Sequence, residues 1–160
     1  MSKSTNFLAI GALVAFAAVN TASAQVTQTV TFQVSAINQI AVTGTPSLVI
    51  NAAVAGNAPT SVTSTGNTWA VTTNQTASIT ASIPTAMPAG LTLSALLAAP
   101  GGATSAGSVA LGTVAVTVVS GITTLNSAAL GLTYQLDATA AAGVFTSATR
   151  VVTYTITGGV

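Results

Sequence analysis

Very few side chains in this sequence could do acid, base or nucleophilic chemistry. The chain has 160 residues, of which 2% are charged, and it contains no His and no Cys. Lys3, Asp137 and Arg150 are its only Lys, Arg, Asp or Glu residues. General acid-base catalysis usually needs a His or a tuned carboxylate, and a Ser nucleophile needs a base to activate it. The sequence therefore predicts a protein that is not an enzyme and has no catalytic residue.

Binding chemistry that depends on charge or on metal ligands is equally disfavoured. Zinc takes about four N, S or O ligands, and calcium sites normally use several carboxylates. A nucleic-acid surface needs clustered Lys and Arg. Asp137 and Arg150 are predicted to lie on neighbouring strands but on opposite faces, as a solvated Asp and a rim Arg. The sequence therefore predicts no metal site, no cofactor and no nucleic-acid partner.

The N-terminus has the pattern of a secretory signal peptide. Lys3 precedes an apolar run from Phe7 to Val19, and Ala22-Ser23-Ala24 provides small residues at the predicted cleavage site. The apolar run is shorter than the roughly 20 residues that a membrane span needs. We expect a signal peptide at residues 1–24, a mature domain at residues 25–160 without a membrane anchor, and passage through a periplasm to the cell surface or the extracellular space.

The mature part alternates β-branched segments with turn residues, and no stretch has a helical period. This predicts an all-β protein with a single antiparallel β-sandwich, immunoglobulin-like or jelly-roll-like, of about seven or eight strands. Trp69 is predicted to fill the core, and Tyr134 and Tyr154 to be cross-strand neighbours there. The predicted core residues are Ile50, Trp69, Val71, Ile79, Leu93, Val116, Leu132, Tyr134, Leu136, Val152, Tyr154 and Ile156.

The first segment of the mature chain, QVTQTVTFQV (residues 25–34), alternates apolar and polar residues. Its apolar parity continues through Ile40 to Val42. Period two over this length predicts a strand. The strand could belong to the domain itself or be donated to a neighbouring copy, and residues 25–36 are the predicted donor. Its apolar side chains are Val26, Val30, Phe32, Val34 and Ala36.

The layout resembles exported pilin-like β-sandwich subunits, in particular the spore coat protein U and archaic chaperone-usher type, and equally cysteine-free matrix-fibre subunits. The resemblance rests on the signal followed by VTQTVTFQVSAI, the short TGTPSLVI, the strand TWAVTTN and the final RVVTYTIT. It implies a fimbrial or matrix subunit that self-assembles by strand donation. Its partners would be other copies of the chain, in a homopolymer, and an export chaperone.

Two other functions stay open at this point. A stand-alone secreted adhesin or carbohydrate-binding module is one, although aromatic residues make up only 4% of the chain, and sugar faces stack on exposed aromatics. An amyloid-type matrix protein is the other, because uncharged Val and Thr segments suit steric zippers. The Pro and Gly residues between these segments disfavour the amyloid alternative.

Overall fold

The structure is a computed structural model that describes residues 23–159. Residues up to Gln33 and residues from Val34 onward form two separate units, and each is described by itself. Residues 34–159 are the β-domain. The predicted signal peptide, residues 1–24, lies almost wholly outside the described residues. Within residues 23–159, no helix has the length and hydropathy that crossing a membrane requires.

Ten strands build the β-domain, most of them from alternating Val, Ile, Leu or Thr and small residues, which suit a pleated, half-buried surface. The strands are β1 (Asn38–Thr43), β2 (Val62–Thr63), β3 (Asn67–Thr73), β4 (Ala77–Ser82), β5 (Leu91–Leu97), β6 (Thr104–Ser105), β7 (Val109–Ala110), β8 (Val116–Ile122), β9 (Leu125–Ala138) and β10 (Thr153–Gly158). A 3-10 helix, Ala140–Ala142, lies between β9 and β10.

The strands form two antiparallel sheets, which confirms the predicted all-β sandwich. One sheet has the order β1-β3-β9-β5-β7, with β2 also paired to β9, and the other has the order β10-β4-β8-β6. Seven of the strands have six or more residues, and β2, β6 and β7 have two residues each. The long strands match the predicted number, and the short ones extend the sheets beyond it.

Side chains from both sheets meet in one core. Trp69, Val71 and Leu132 come from the six-stranded sheet, and Ile79 and Val118 face them from the four-stranded sheet, each at most 2% exposed. The indole Nε1 of Trp69 donates a hydrogen bond of 3.1 Å to the carbonyl of Ala98. The buried Trp69 therefore has its polar atom satisfied, as a core position requires.

The predicted pairing of the last two long strands is wrong. β9 lies in the six-stranded sheet, whereas β10 lies in the other sheet and pairs with β4. Tyr134 and Tyr154 are therefore not cross-strand neighbours within one sheet. Arg150 precedes β10 instead of lying within it. Alternation specifies which face of a strand is apolar, and it does not specify the partner strand.

Two segments with strand-like sequences form no strand in the structure. Residues 25–37 have no regular structure, and β1 begins only at Asn38. Residues 47–52 also lie outside the strands, and only an isolated bridge joins Ala53 to Pro59. A strand needs a partner strand for its backbone groups. Among the described residues, these two segments make backbone hydrogen bonds only near their ends, from Ser35 and Ile37 to Asn74 and from Ala52 to Thr60.

Candidate functional site: an open groove and an unpaired N-terminal segment

The two charged side chains of the β-domain bind neutral groups and do not come together. The carboxylate of Asp137 accepts hydrogen bonds from the Ser61 hydroxyl and from Nε2 of Gln135, the latter at 2.9 Å. The guanidinium of Arg150 donates to the carbonyls of Thr149 (2.9 Å) and Ala86 (3.2 Å). In residues 23–159 there is no cluster of three or more His, Cys, Asp or Glu side chains.

One lateral side of the sandwich is closed. The chain from β6 to β8 connects the two sheets there: the Ser105 hydroxyl donates to the carbonyl of Leu97 at 2.6 Å. The amide of Leu111 donates to the carbonyl of Leu93, and the amide of Ile83 donates to the carbonyl of Gly112, at 2.8 and 2.9 Å. The core beside this stretch is therefore shielded from solvent.

The opposite lateral side, between β1 and β10, is open. Ile79 and Ala81 of β4 are 0% and 1% exposed. The inward residues of the adjacent edge strand β10, Tyr154 and Ile156, are only half-buried. The edge strand β1 is likewise less buried than its neighbour β3. Val42 of β1 is 41% exposed, whereas Trp69 and Val71 of β3 are 1% and 2% exposed. The sandwich thus lacks a cover over its apolar interior along this side.

This open side contains a groove of about 1250 Å³. The groove is lined by Ile40 and Val42 of β1, by Tyr134 and Leu136 of β9, and by Tyr154 of β10. The lining continues past β9 to Leu91 and Leu93 of β5. The segments 46–53 and 139–150, with Pro59, Met87 and Pro88, complete its walls. Its lining is slightly more apolar than polar, and Arg150 is the one charged side chain among these residues. The guanidinium Nε of Arg150 is buried and has no hydrogen-bond partner among the described residues.

A tyrosine pair joins the two sheets within the groove. The Tyr154 hydroxyl donates a hydrogen bond of 3.0 Å to the Tyr134 hydroxyl. Burial raises the pKa of Tyr154 above its ordinary value, and the hydrogen bond to Tyr134 acts in the same direction. This pair is a polar contact that holds β10 to the opposite sheet.

The walls of the groove carry backbone without partners. Residues 45–51 and residues 144–151 make no backbone-backbone hydrogen bond with any described residue. Leu48 and Ile50 are half-buried, with the intervening Val49 64% exposed. Val144 and Phe145, in the other wall, are 101% and 52% exposed. Both walls therefore offer amides and carbonyls that are not paired with other described backbone groups, beside apolar side chains.

The N-terminal segment, residues 25–34, is the second part of the candidate site. Val26, Val30, Phe32 and Val34 are 92, 71, 89 and 77% exposed. Ala36 is also exposed. The segment therefore presents the alternating apolar side chains that the sequence indicated, exposed and without a strand partner in residues 23–159.

The predicted core residues fall into two groups. Six are buried: Trp69, Val71, Ile79, Leu93, Leu132 and Tyr134. The other six are half-buried: Ile50, Val116, Leu136, Val152, Tyr154 and Ile156. Four of the half-buried residues, Ile50, Leu136, Val152 and Tyr154, line the groove.

Sequence reasoning did not identify the groove wall at residues 144–151. The signal was present, because Val144, Phe145 and Val151 interrupt a run that is otherwise Ala, Gly, Ser, Thr and Arg150. A loop that only connects two strands has no need of such side chains.

Comparison with known proteins found no family model, no curated protein and no solved structure that matches this chain.

Proposed function

We propose that this protein is a non-enzymatic structural subunit of an extracellular fibre, pilus or surface matrix, exported by its signal peptide. Residues 25–34 of one copy fill the open groove of another copy as an added strand. The observation that carries this proposal is the combination, in the same chain, of an uncovered groove with apolar side chains in its lining and an exposed, strand-patterned segment without a strand partner among residues 23–159.

Backbone chemistry supports strand addition. β1 and β10 are the edge strands on the open side, and residues 45–51 and 144–151 beside them have unpaired backbone. An extended segment entering here would find amides and carbonyls along its length, which is how strand addition obtains its affinity. Each backbone hydrogen bond contributes about 0.5–1.5 kcal/mol net.

Side-chain burial supports the same occupant. Burying Val26, Val30, Phe32 and Val34 would contribute about 1.5–3 kcal/mol each, or about 6–12 kcal/mol together. Association costs about 4–15 kcal/mol in lost freedom. Burial and cost are therefore of the same size, so stable assembly depends on the backbone hydrogen bonds as well. The segment has no ionisable side chain, so no side-chain charge opposes its insertion.

The test uses the mature chain, residues 25–160, and a variant that lacks residues 25–34. Electron microscopy and size-exclusion chromatography should show filaments for the mature chain and a folded monomer for the deletion variant, with Trp69 fluorescence reporting the intact core. A peptide of residues 25–34 should bind the deletion variant. A peptide with Val30 and Phe32 replaced by Ser is the control, and it should bind much more weakly.

The outcomes separate the alternatives. A mature chain that remains a monomer at all concentrations would refute the assembly. Filaments that persist after the deletion would favour an amyloid-type core elsewhere in the chain. A deletion variant that cannot fold would mean that residues 25–34 belong to the domain's own core.

A further inference from the structure

We propose that Asn74 is a clamp at the start of β1, which directs residues 25–34 away from their own groove and toward a second copy. This inference rests on the proposed assembly, and it concerns which copy receives the segment. Asn74 lies in the turn between β3 and β4, where the chain passes from one sheet to the other.

Asn74 makes three hydrogen bonds to the chain just before β1. Its side-chain Oδ1 accepts from the amide of Ile37 at 2.7 Å, and its Nδ2 donates to the carbonyl of Ser35 at 2.8 Å. Its backbone amide donates to the carbonyl of Ile37 at 3.2 Å. The side chain thus continues the β1-β3 pairing by one more step, and it holds residues 35–37 in line with β1.

The clamp lies at the end of the sandwich where β1 begins and β10 ends. Asn38, the first residue of β1, accepts from the Thr73 hydroxyl at 2.7 Å and donates to Gln75 at 3.0 Å. A Cβ built on Gly158, the last residue of β10, would lie 2.3 Å from Nδ2 of Asn38. β1 and β10 are therefore packed closely together at this end, which we call the exit end.

The groove opens toward the other end. It contacts Ile40 and Val42 of β1 and Val152 and Tyr154 of β10, whereas neither Asn38 nor Gly158 lines it. β1 has six residues, so it is about 20 Å long at about 3.3 Å per residue. Residues 35–37 therefore enter β1 at the exit end, and the groove faces the opposite end.

A segment could reach its own groove only by reversing direction before β1 and running back along the free edge of β1. That reversal needs a tight turn in the residues just before β1. Asn74 fixes the carbonyl of Ser35 and the amide of Ile37 within this stretch. The clamp therefore disfavours self-insertion and leaves the groove of each copy free for another copy.

A donor attached through residues 35–37 at the exit end, and a groove that faces the other end, would have a consequence for assembly. Contacts between different surfaces of identical subunits are head-to-tail, and they propagate as an open filament unless the rotation closes a ring. The clamp therefore supports a linear assembly of many copies, whereas a self-inserted chain would be a closed monomer.

The test compares Asn74→Ala with Asn126→Ala in the mature chain. Asn126 is exposed on β9 and pairs with Thr72 near the same end of the sandwich, so it is a matched control. In dilute monomer, hydrogen exchange should show residues 26–34 protected in Asn74→Ala and unprotected in wild type and in Asn126→Ala. The ratio of chains with residues 25–34 in their own groove to chains with this segment free should rise on the order of tenfold, because two side-chain hydrogen bonds are lost. Filament formation should slow accordingly.

A second variant, Asn74→Asp, covers the case in which Asn74→Ala does not fold. Asp keeps the acceptor for the Ile37 amide and loses the donor to the Ser35 carbonyl, so a smaller rise in protection should follow. Wild-type filaments together with folded Asn74 variants that exchange and assemble like wild type would overturn the clamp while the assembly stands. A wild-type chain that forms no filaments would overturn the assembly, and the clamp with it.

Discussion

Replacing Phe32 by Ala should weaken assembly without changing the β-domain. Phe32 is the largest apolar side chain of residues 25–34, and it is 89% exposed in the single chain. Nearly all of its surface is therefore available for burial in a second copy. Because residues up to Gln33 are a unit separate from the β-domain, the substitution should leave the stability of the monomer unchanged.

The size of the effect follows from that exposure. Full burial of a Phe side chain contributes about 2–3 kcal/mol, and each 1.4 kcal/mol changes an equilibrium constant tenfold. Phe32→Ala should therefore raise the critical concentration for filament formation by about 30- to 140-fold. Thr31→Ala is the matched control, because Thr31 has the opposite parity in the strand. Its effect should stay within about threefold, as expected for a change in strand propensity alone.

Sedimentation of filaments over a concentration series gives the critical concentration directly, and urea unfolding followed through Trp69 checks the monomer. Equal effects of Phe32→Ala and Thr31→Ala would refute insertion of an alternating strand with one apolar face. An unchanged critical concentration for Phe32→Ala would exclude residue 32 from the contact between copies.

Two further predictions concern residues at the groove, namely Gly90 next to Ala142, and Tyr154. Gly90→Ala should lower the free energy of unfolding by about 2–5 kcal/mol, because its Cβ would lie 2.6 Å from the backbone nitrogen of Ala142 and its φ is +79°. Gly102→Ala, with φ +83° and open space around it, should cost only about 1–2 kcal/mol in urea unfolding; equal costs would exclude the close contact at Ala142. Burial and the hydrogen bond to Tyr134 raise the pKa of Tyr154, so above about pH 10 the unfolded chain loses a proton that the folded chain retains. The free energy of unfolding should fall as the pH rises above about 10, and it should fall less steeply in Tyr154→Phe; parallel pH profiles from urea unfolding would contradict this.

The all-β sandwich could be predicted because alternation reports directly on burial. In β3 and β4 the residues that share a parity, such as Trp69 with Val71 and Ile79 with Ala81, are those that the core buries. One apolar face per strand, with turn residues between strands, leaves two packed sheets as the natural arrangement. The class of fold depends on this local pattern and on little else.

The partner of each strand could not be predicted, because it depends on contacts distant in sequence. β9 and β10 are consecutive, yet they lie in different sheets and meet through the Tyr134 and Tyr154 hydroxyls. β9 also contains a bulge, where Ala129 has φ 56° and the register with β3 shifts. Nothing in the small residues around Ala129 marks that irregularity in the sequence.

The groove could not be predicted from the sequence, for a related reason. Alternation in residues 25–34 and 47–52 indicates backbone that can join a sheet, and it does not indicate whether a partner exists within the same copy. Among residues 23–159, neither segment pairs with another strand. A sequence with more strand-like segments than strands is therefore compatible with a sandwich that has an open side.

The pairing of β1 with β3 also determines how the β-domain would respond to tension. All six residues of β1, from Asn38 to Thr43, pair in register with β3, and the hydrogen bonds of Asn74 extend that pairing to Ser35. A force that draws the preceding chain straight out from the exit end acts along β1. The hydrogen bonds of the β1-β3 pair lie across this direction, so they are sheared together and are not peeled apart one by one. A strand loaded in this way detaches only when many bonds break at once, which suits a domain joined to its neighbour through the chain ahead of β1.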